Sequence, residues 1–224
     1  MNLTFICQSA WAERPNAANF QSFVPAKWKI LETAQGDLNA DGLSDLALII
    51  ENTDPDNIVS NENLGSDKLN LNPRQLMVLF KTAKGYQLAA RNSNLPSEGD
   101  ADSPCLADPL GEGESLTIQK GLLKIGFHYW LSCGSWYVTN TSYTFRYQNQ
   151  KFKLIGFDSN DFHRASGDIT ERSINFITGK VKNTTGANEF AESNVPEKVE
   201  WSTLKNKYSM SLEQVQFNEQ IEFE

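Results

Sequence analysis

Residues 28–33 read Trp28-Lys29-Ile30-Leu31-Glu32-Thr33, and residues 36–51 read Gly36-Asp37-Leu38-Asn39-Ala40-Asp41-Gly42-Leu43-Ser44-Asp45-Leu46-Ala47-Leu48-Ile49-Ile50-Glu51. Oxygen-bearing side chains at Asp37, Asn39, Asp41 and Asp45 crowd one short loop, and Gly42 permits its sharp turn. The run 46–50 is short, apolar and rich in strand formers, so it reads as a buried strand, and 28–33 reads as a strand as well. A helix–loop–helix calcium site would need a bidentate Glu at the twelfth loop position, which counted from Asp37 is Leu48. The stretch is therefore strand, loop, strand, and it sets the chain among β proteins.

The rest of the chain repeats that pattern. Residues 75–81 and 86–91 flank Ala83-Lys84-Gly85, and 115–119 and 122–127 flank Lys120-Gly121. Residues 137–147 and 152–157 form a third pair, 173–177 and 180–183 a fourth, and 197–201 with 208–212 a fifth. Short strands separated by turn signals predict an all-β, mainly antiparallel fold, either a sandwich or a few blade-like sheets. One or two short helices are expected, at 17–23 and 212–217. Two long polar loops, 52–73 and 92–113, interrupt the hairpins, and loops of that length in a compact domain usually carry function or move.

Alternating Asp and Asn in a tight loop supply the oxygens a hard cation wants. The side chains of Asp37, Asn39, Asp41 and Asp45, with the Leu43 carbonyl, are the expected ligands of one structural Ca²⁺. The competing reading is an Asx-rich turn held by its own side chains.

A strand, a D-x-N-x-D-G-x-x-D loop and a second strand resemble the FG-GAP or VCBS calcium repeats of propeller blades and secreted bacterial proteins. That resemblance implies ligand roles for Asp37, Asn39, Asp41, Leu43 and Asp45. Those proteins repeat the motif, whereas this chain shows it once. A longer series, from Phe23-Val24-Pro25 and Trp28-Lys29-Ile30-Leu31 through Met77-Val78-Leu79-Phe80-Lys81 and Tyr143-Thr144-Phe145-Arg146-Tyr147 to Asn175-Phe176-Ile177-Thr178-Gly179-Lys180, is similar to a family of uncharacterised secreted proteins of Gram-negative bacteria. This resemblance implies a periplasmic or outer-surface address and transfers no catalytic residues.

Composition narrows the function classes. The 224 residues suffice for one core, and the net charge of −8 disfavours nucleic acid, which wants a basic patch. No run approaches the length of a membrane-spanning helix. Residues 1–12 end in Ala10-Trp11-Ala12 after an apolar stretch, so they read as the back end of a secretory signal peptide, with the start codon upstream. The mature chain is expected to be a single mainly-β domain, 13–224. Removal of that leader, with Cys7, leaves Cys105 and Cys133, an even count that predicts one disulfide in an exported protein.

No nucleophile, zinc or phosphate-loop motif is present. Ser202-Thr203-Leu204-Lys205 matches S-x-x-K without its companion motifs. His128 and His163 are the only histidines, and neither has a partner legible in sequence. Tyr129, Trp130, Trp136 and Tyr137 form an aromatic cluster that either packs a core or presents a binding platform. Three readings follow. The first is a non-enzymatic, calcium-stabilised periplasmic binding or inhibitor protein of the immunity type, directed at a protein partner. The second is a module binding carbohydrate or an envelope glycan. The third is a hydrolase built on dispersed carboxylates.

Overall fold

A computed structural model describes residues 16–111, 113, 115–191, 196–218 and 223–224. The leader read at 1–12 and the mature start at Glu13 lie outside the described residues. The first half of the chain forms β1 (Asn16–Ala17), β2 (Trp28–Gly36), β3 (Asp45–Asn52), β4 (Ile58–Ser60), β5 (Lys68–Asn70), β6 (Arg74–Thr82) and β7 (Gly85–Leu95). The second half forms β8 (Leu116–Gln119), β9 (Leu122–Trp130), β10 (Tyr137–Gln148), β11 (Lys151–His163), β12 (Asp168–Asn175), β13 (Lys180–Asn188) and β14 (Lys198–Thr203). The fold is all-β. One sheet has five strands in the order β1-β7-β6-β3-β2, the other has seven in the order β14-β13-β12-β11-β10-β9-β8, and β4 pairs with β5. Every pairing is antiparallel.

The seven-stranded sheet is an unbroken meander, and four of its six connections are only two to four residues long. Lys120 and Gly121, both at positive φ, make the β8–β9 turn, a conformation matched to strand twist. The 46–50 run is continuous rather than alternating because β3 is covered on both faces. Ala47 and Ile49 face the large sheet, where Phe127, Tyr143, Phe145, Phe152 and Phe157 complete the main core. Leu46, Leu48 and Ile50 face the other way, against Met77, Leu79 and Phe23.

The C-terminal segment is the third component of the core. Leu212, Val215, Phe217 and Phe223 are buried on the inner side of the large sheet. Phe217 packs against Phe127 at 5.5 Å and Tyr143 at 5.0 Å, and Phe223 packs against Phe157 and Phe176. The buried Asn92 amide fastens the segment to β7 by donating to the carbonyls of Leu212 (2.6 Å) and Val215 (2.8 Å).

Three sequence expectations change. The helices expected at 17–23 and 212–217 are 3₁₀ turns, Phe20–Phe23 and Leu212–Gln214, and a third stands at Pro55–Asn57. The fifth hairpin does not form. Lys198–Thr203 pairs with β13, while Ser211 bridges to Lys153 of β11, because Tyr208, Met210 and Leu212 are drawn onto the core. The loop 52–73 contains the small β4–β5 hairpin.

Candidate functional sites: the acidic loop and an aromatic corner

The acidic loop leaves β2 at Gly36 and enters β3 at Asp45, and its side chains fold back onto its own backbone. Asp37 accepts from the N–H groups of Ala40 (2.7 Å) and Gly42 (2.9 Å), Asn39 from Asp41 N–H (3.0 Å), and Asp41 from Leu43 N–H (2.8 Å). The Asn39 amide also donates to Asp41 at 3.1 Å. Asp37, Asn39 and Asp41 thus share one exposed turn, with Leu43 at its outer end. Asp45 differs. It is fully buried, and its two carboxylate oxygens accept from Leu38 N–H and Lys81 N–H, each at 2.8 Å. Burial pushes its carboxyl above the usual range, the two backbone donors pull it down, and the charges of Asp41 and Asp37 push it up again.

The donor chemistry of this loop is that of a hard cation, since each hydrogen-bonded oxygen keeps a second lone pair. Among the described residues, no three His, Cys, Asp or Glu side chains gather as a metal-holding group. A calcium ion here therefore needs the Asn39 amide oxygen and the Leu43 carbonyl as well as the carboxylates.

The second site is the corner between β9 and β10. Cys105 and Cys133 form a disulfide with Cα atoms 5.5 Å apart. The bridge ties 103–107 to 130–133, with Ala107 N–H donating to Trp130 O and Ser132 N–H to Cys105 O, both at 2.9 Å. Above it stand Trp130, Trp136 and Tyr137, exposed at 36%, 63% and 55%. The Arg164 guanidinium lies 5.7 Å from the Trp130 ring and 5.9 Å from the Trp136 ring. Its Nη2 donates to the carbonyls of Leu131 (2.9 Å) and Ser135. Tyr137 meets His163 edge-on at 4.8 Å.

Tyr129 is not part of this surface. Strand alternation turns it to the inner side, where it packs on Phe127 and its hydroxyl donates to Phe217 O at 3.4 Å. Burial raises the pKa of its phenol. Arg164 and His163 take its place, and sequence reading missed both. His163 ends β11 and Arg164 follows it, and the only signal was the pairing of His163 with Tyr137 in the β10–β11 hairpin.

The catalytic candidates are structural in their surroundings. His163 Nδ1 stands 2.9 Å from Ser166 Oγ, and Ser166 Oγ donates to Asp168 at 2.5 Å. A nucleophilic serine needs its histidine between it and the acid, whereas here the serine is the middle member. Ser166 N–H also reaches His163 Nδ1 at 3.1 Å, so this group caps a turn. Its hydrogen bonds to Ser166 and Asn188 hold the exposed Asp168 carboxyl below its ordinary value. His128 Nδ1 pairs with Asn140 Oδ1 at 2.7 Å on the outer face of the large sheet. Ser202 lies exposed on β14, and Lys205 points to Glu224 at 3.8 Å instead.

No described helix is long and apolar enough to cross a membrane. No family model matches the chain, and no curated protein and no solved structure matches it either.

Proposed function

We propose that this chain is a non-enzymatic, extracytoplasmic binding protein of the inhibitor type. It engages a protein partner through Trp130, Trp136, Tyr137 and Arg164, and a calcium ion at Asp37, Asn39, Asp41, Leu43 and Asp45 braces it. The observation that carries the reading is the Arg164 guanidinium lodged between two exposed indoles over a disulfide. Trp, Tyr and Arg dominate the energetic centres of protein interfaces, and side chains ordered before contact lose less entropy on binding. The disulfide favours an oxidising compartment. The net charge of −8 suits a basic partner and quickens its encounter.

Capture from a periplasmic extract tests the contact surface. Wild-type protein should retain a partner that Trp136→Ala loses, and equal retention by both would sink the assignment. For calcium, titration of chelator-stripped protein should release binding heat and raise Tm. Stabilisation follows RT ln(1 + [L]/Kd), about 2.7 kcal/mol at a hundredfold excess over Kd. Asp41→Ala should abolish the rise, and magnesium should give a smaller one because it prefers strict octahedral geometry. If millimolar calcium gives neither heat nor a shift, the loop is an Asx turn alone.

A further inference from the structure

The outer face of the large sheet is open and polar. The strand register places Gly126, Ser142, Asp158, Ser173, Lys182 and Trp201 side by side on β9 to β14. Asn140, Asn160 and Glu171 form the next row on the same face. Between the rows lies a cavity of about 280 Å³ whose every lining residue is polar or charged. A second, of about 230 Å³, adjoins it through Asn140 and Ser142 and reaches Gly126. At about 4.8 Å per strand, the row from β9 to β14 spans about 24 Å.

Gly126 on this face lacks a structural cause, whereas Gly156 adjoins the β-bulge in the β10–β11 pairing. Gly126 and Gly156 sit in the middle of β9 and β11, and neither has positive φ. A Cβ on Gly126 would meet nothing closer than Thr141 O at 3.5 Å, and one on Gly156 nothing closer than Thr144 Cβ at 3.6 Å. Both are ordinary contacts, so the fold would accept a side chain at either position. Glycine inside a strand weakens it and commonly marks a place where a ligand approaches the backbone. Here Gly126 leaves a bare floor in the second cavity.

We propose that this trough binds a neutral oligosaccharide. In the first cavity Asp158 and Glu171 stand against Lys182 and Arg172, so its lining carries no net charge and gives a phosphate, nucleic acid or acidic sugar no cationic surplus to bind. A protein interface would want an aliphatic or aromatic anchor at its centre, and the first cavity is lined by none. A sugar hydroxyl both donates and accepts, and Asn140, Asn160, Asp158 and Lys182 supply both kinds of partner. The indole of Trp201, 65% exposed beside Lys182, offers a flat apolar surface to the C–H face of a sugar ring. The site uses none of the aromatic corner and does not depend on it.

Calorimetric titration with the hexasaccharides of maltose, cellulose, mannan and chitin type, and with hexagalacturonate as the acidic control, tests this. At least one neutral hexasaccharide should bind at micromolar to millimolar concentration, and hexagalacturonate should not. Gly126→Thr fills the floor with a residue suited to strands, so it should leave Tm unchanged or higher and weaken binding by about tenfold or more. Trp201→Ala should weaken it similarly, and Trp136→Ala should leave it intact. Three results overturn the proposal: no neutral sugar binding at millimolar concentration, wild-type affinity in the Gly126 and Trp201 variants, or loss of sugar binding in Trp136→Ala. The last would move the sugar to the aromatic corner.

Discussion

Among single residues, Arg74 carries the largest electrostatic responsibility. It is 1% exposed, its Nε donates to Glu51 at 2.7 Å, and its two terminal nitrogens fork onto Asp108 at 2.5 and 2.8 Å. Lys29 completes the set by pairing with Glu51 at 2.8 Å. A buried charge is tolerable only when paired, and loss of one partner strands the others. Arg74→Ala should therefore cost about 3–5 kcal/mol in denaturant unfolding. Arg74→Lys should recover little, because a lysine lacks the planar fork. A wild-type unfolding midpoint for Arg74→Ala would refute this. Tyr143 makes a second prediction. Burial pushes its phenol up to about 12, above the ordinary value near 10. The folded state thus holds a proton that the unfolded state gives up first. The stability from this group is complete below pH about 10 and drains away as pH rises towards about 12, at roughly 1.4 kcal/mol per pH unit. Tyr129, raised in the same direction, adds to the loss. Unfolding curves across that range should steepen accordingly, and Tyr143→Phe should flatten them. An unchanged alkaline slope in that variant would exclude Tyr143 as a source.

At the scale of elements, the β9–β10 corner depends on its cross-link. The disulfide closes a loop of 28 residues, and such a closure stabilises by about 3.6 kcal/mol, chiefly by limiting the unfolded chain. The double variant Cys105→Ser, Cys133→Ser should unfold earlier by about that amount. Its indole fluorescence should also depolarise faster, because Trp136 and the Arg164 stack lose their support. Unaltered anisotropy would mean that the hydrogen bonds of Ala107, Ser132 and Arg164 hold the corner by themselves. The β2–β3 loop carries no such cross-link, and its side chains satisfy backbone donors of its own turn.

For the whole molecule, the C-terminal segment is part of the core. The seven-stranded sheet presents more apolar surface than the five-stranded one covers, and Phe217 and Phe223 close part of the difference. Phe217→Ala should cost about 3–5 kcal/mol, the usual range for a buried aromatic. Asn92→Ala should cost about 1–3 kcal/mol, because two buried carbonyls lose their shared donor. Hydrogen exchange offers the discriminating measurement. In both variants protection should fall in β9 to β11 as well as in the tail. Loss confined to residues 211–218 would show that the tail is an appendage.

The sequence by itself determined what depends on near neighbours. Turn chemistry at Lys120-Gly121 and Thr178-Gly179 fixed two hairpins. The apolar run 46–50 announced a buried strand, Gly42 among Asp and Asn announced a sharp turn, and the even count of Cys105 and Cys133 predicted the disulfide. These follow from backbone preference and short-range hydrogen bonding, which act within a few residues. Tertiary structure decided the rest. Arg74 meets Asp108 across 34 residues, and Asn92 meets Leu212 across 120. Arg164 enters the indole pair from a different strand, and Tyr129 leaves the surface because the sheet turns alternate residues inward. The strand expected at 208–212 yielded to the sheet's unfilled inner face. Each of these pairings depends on how one sheet stacks on the other, and that stacking is set by burial summed over the whole chain.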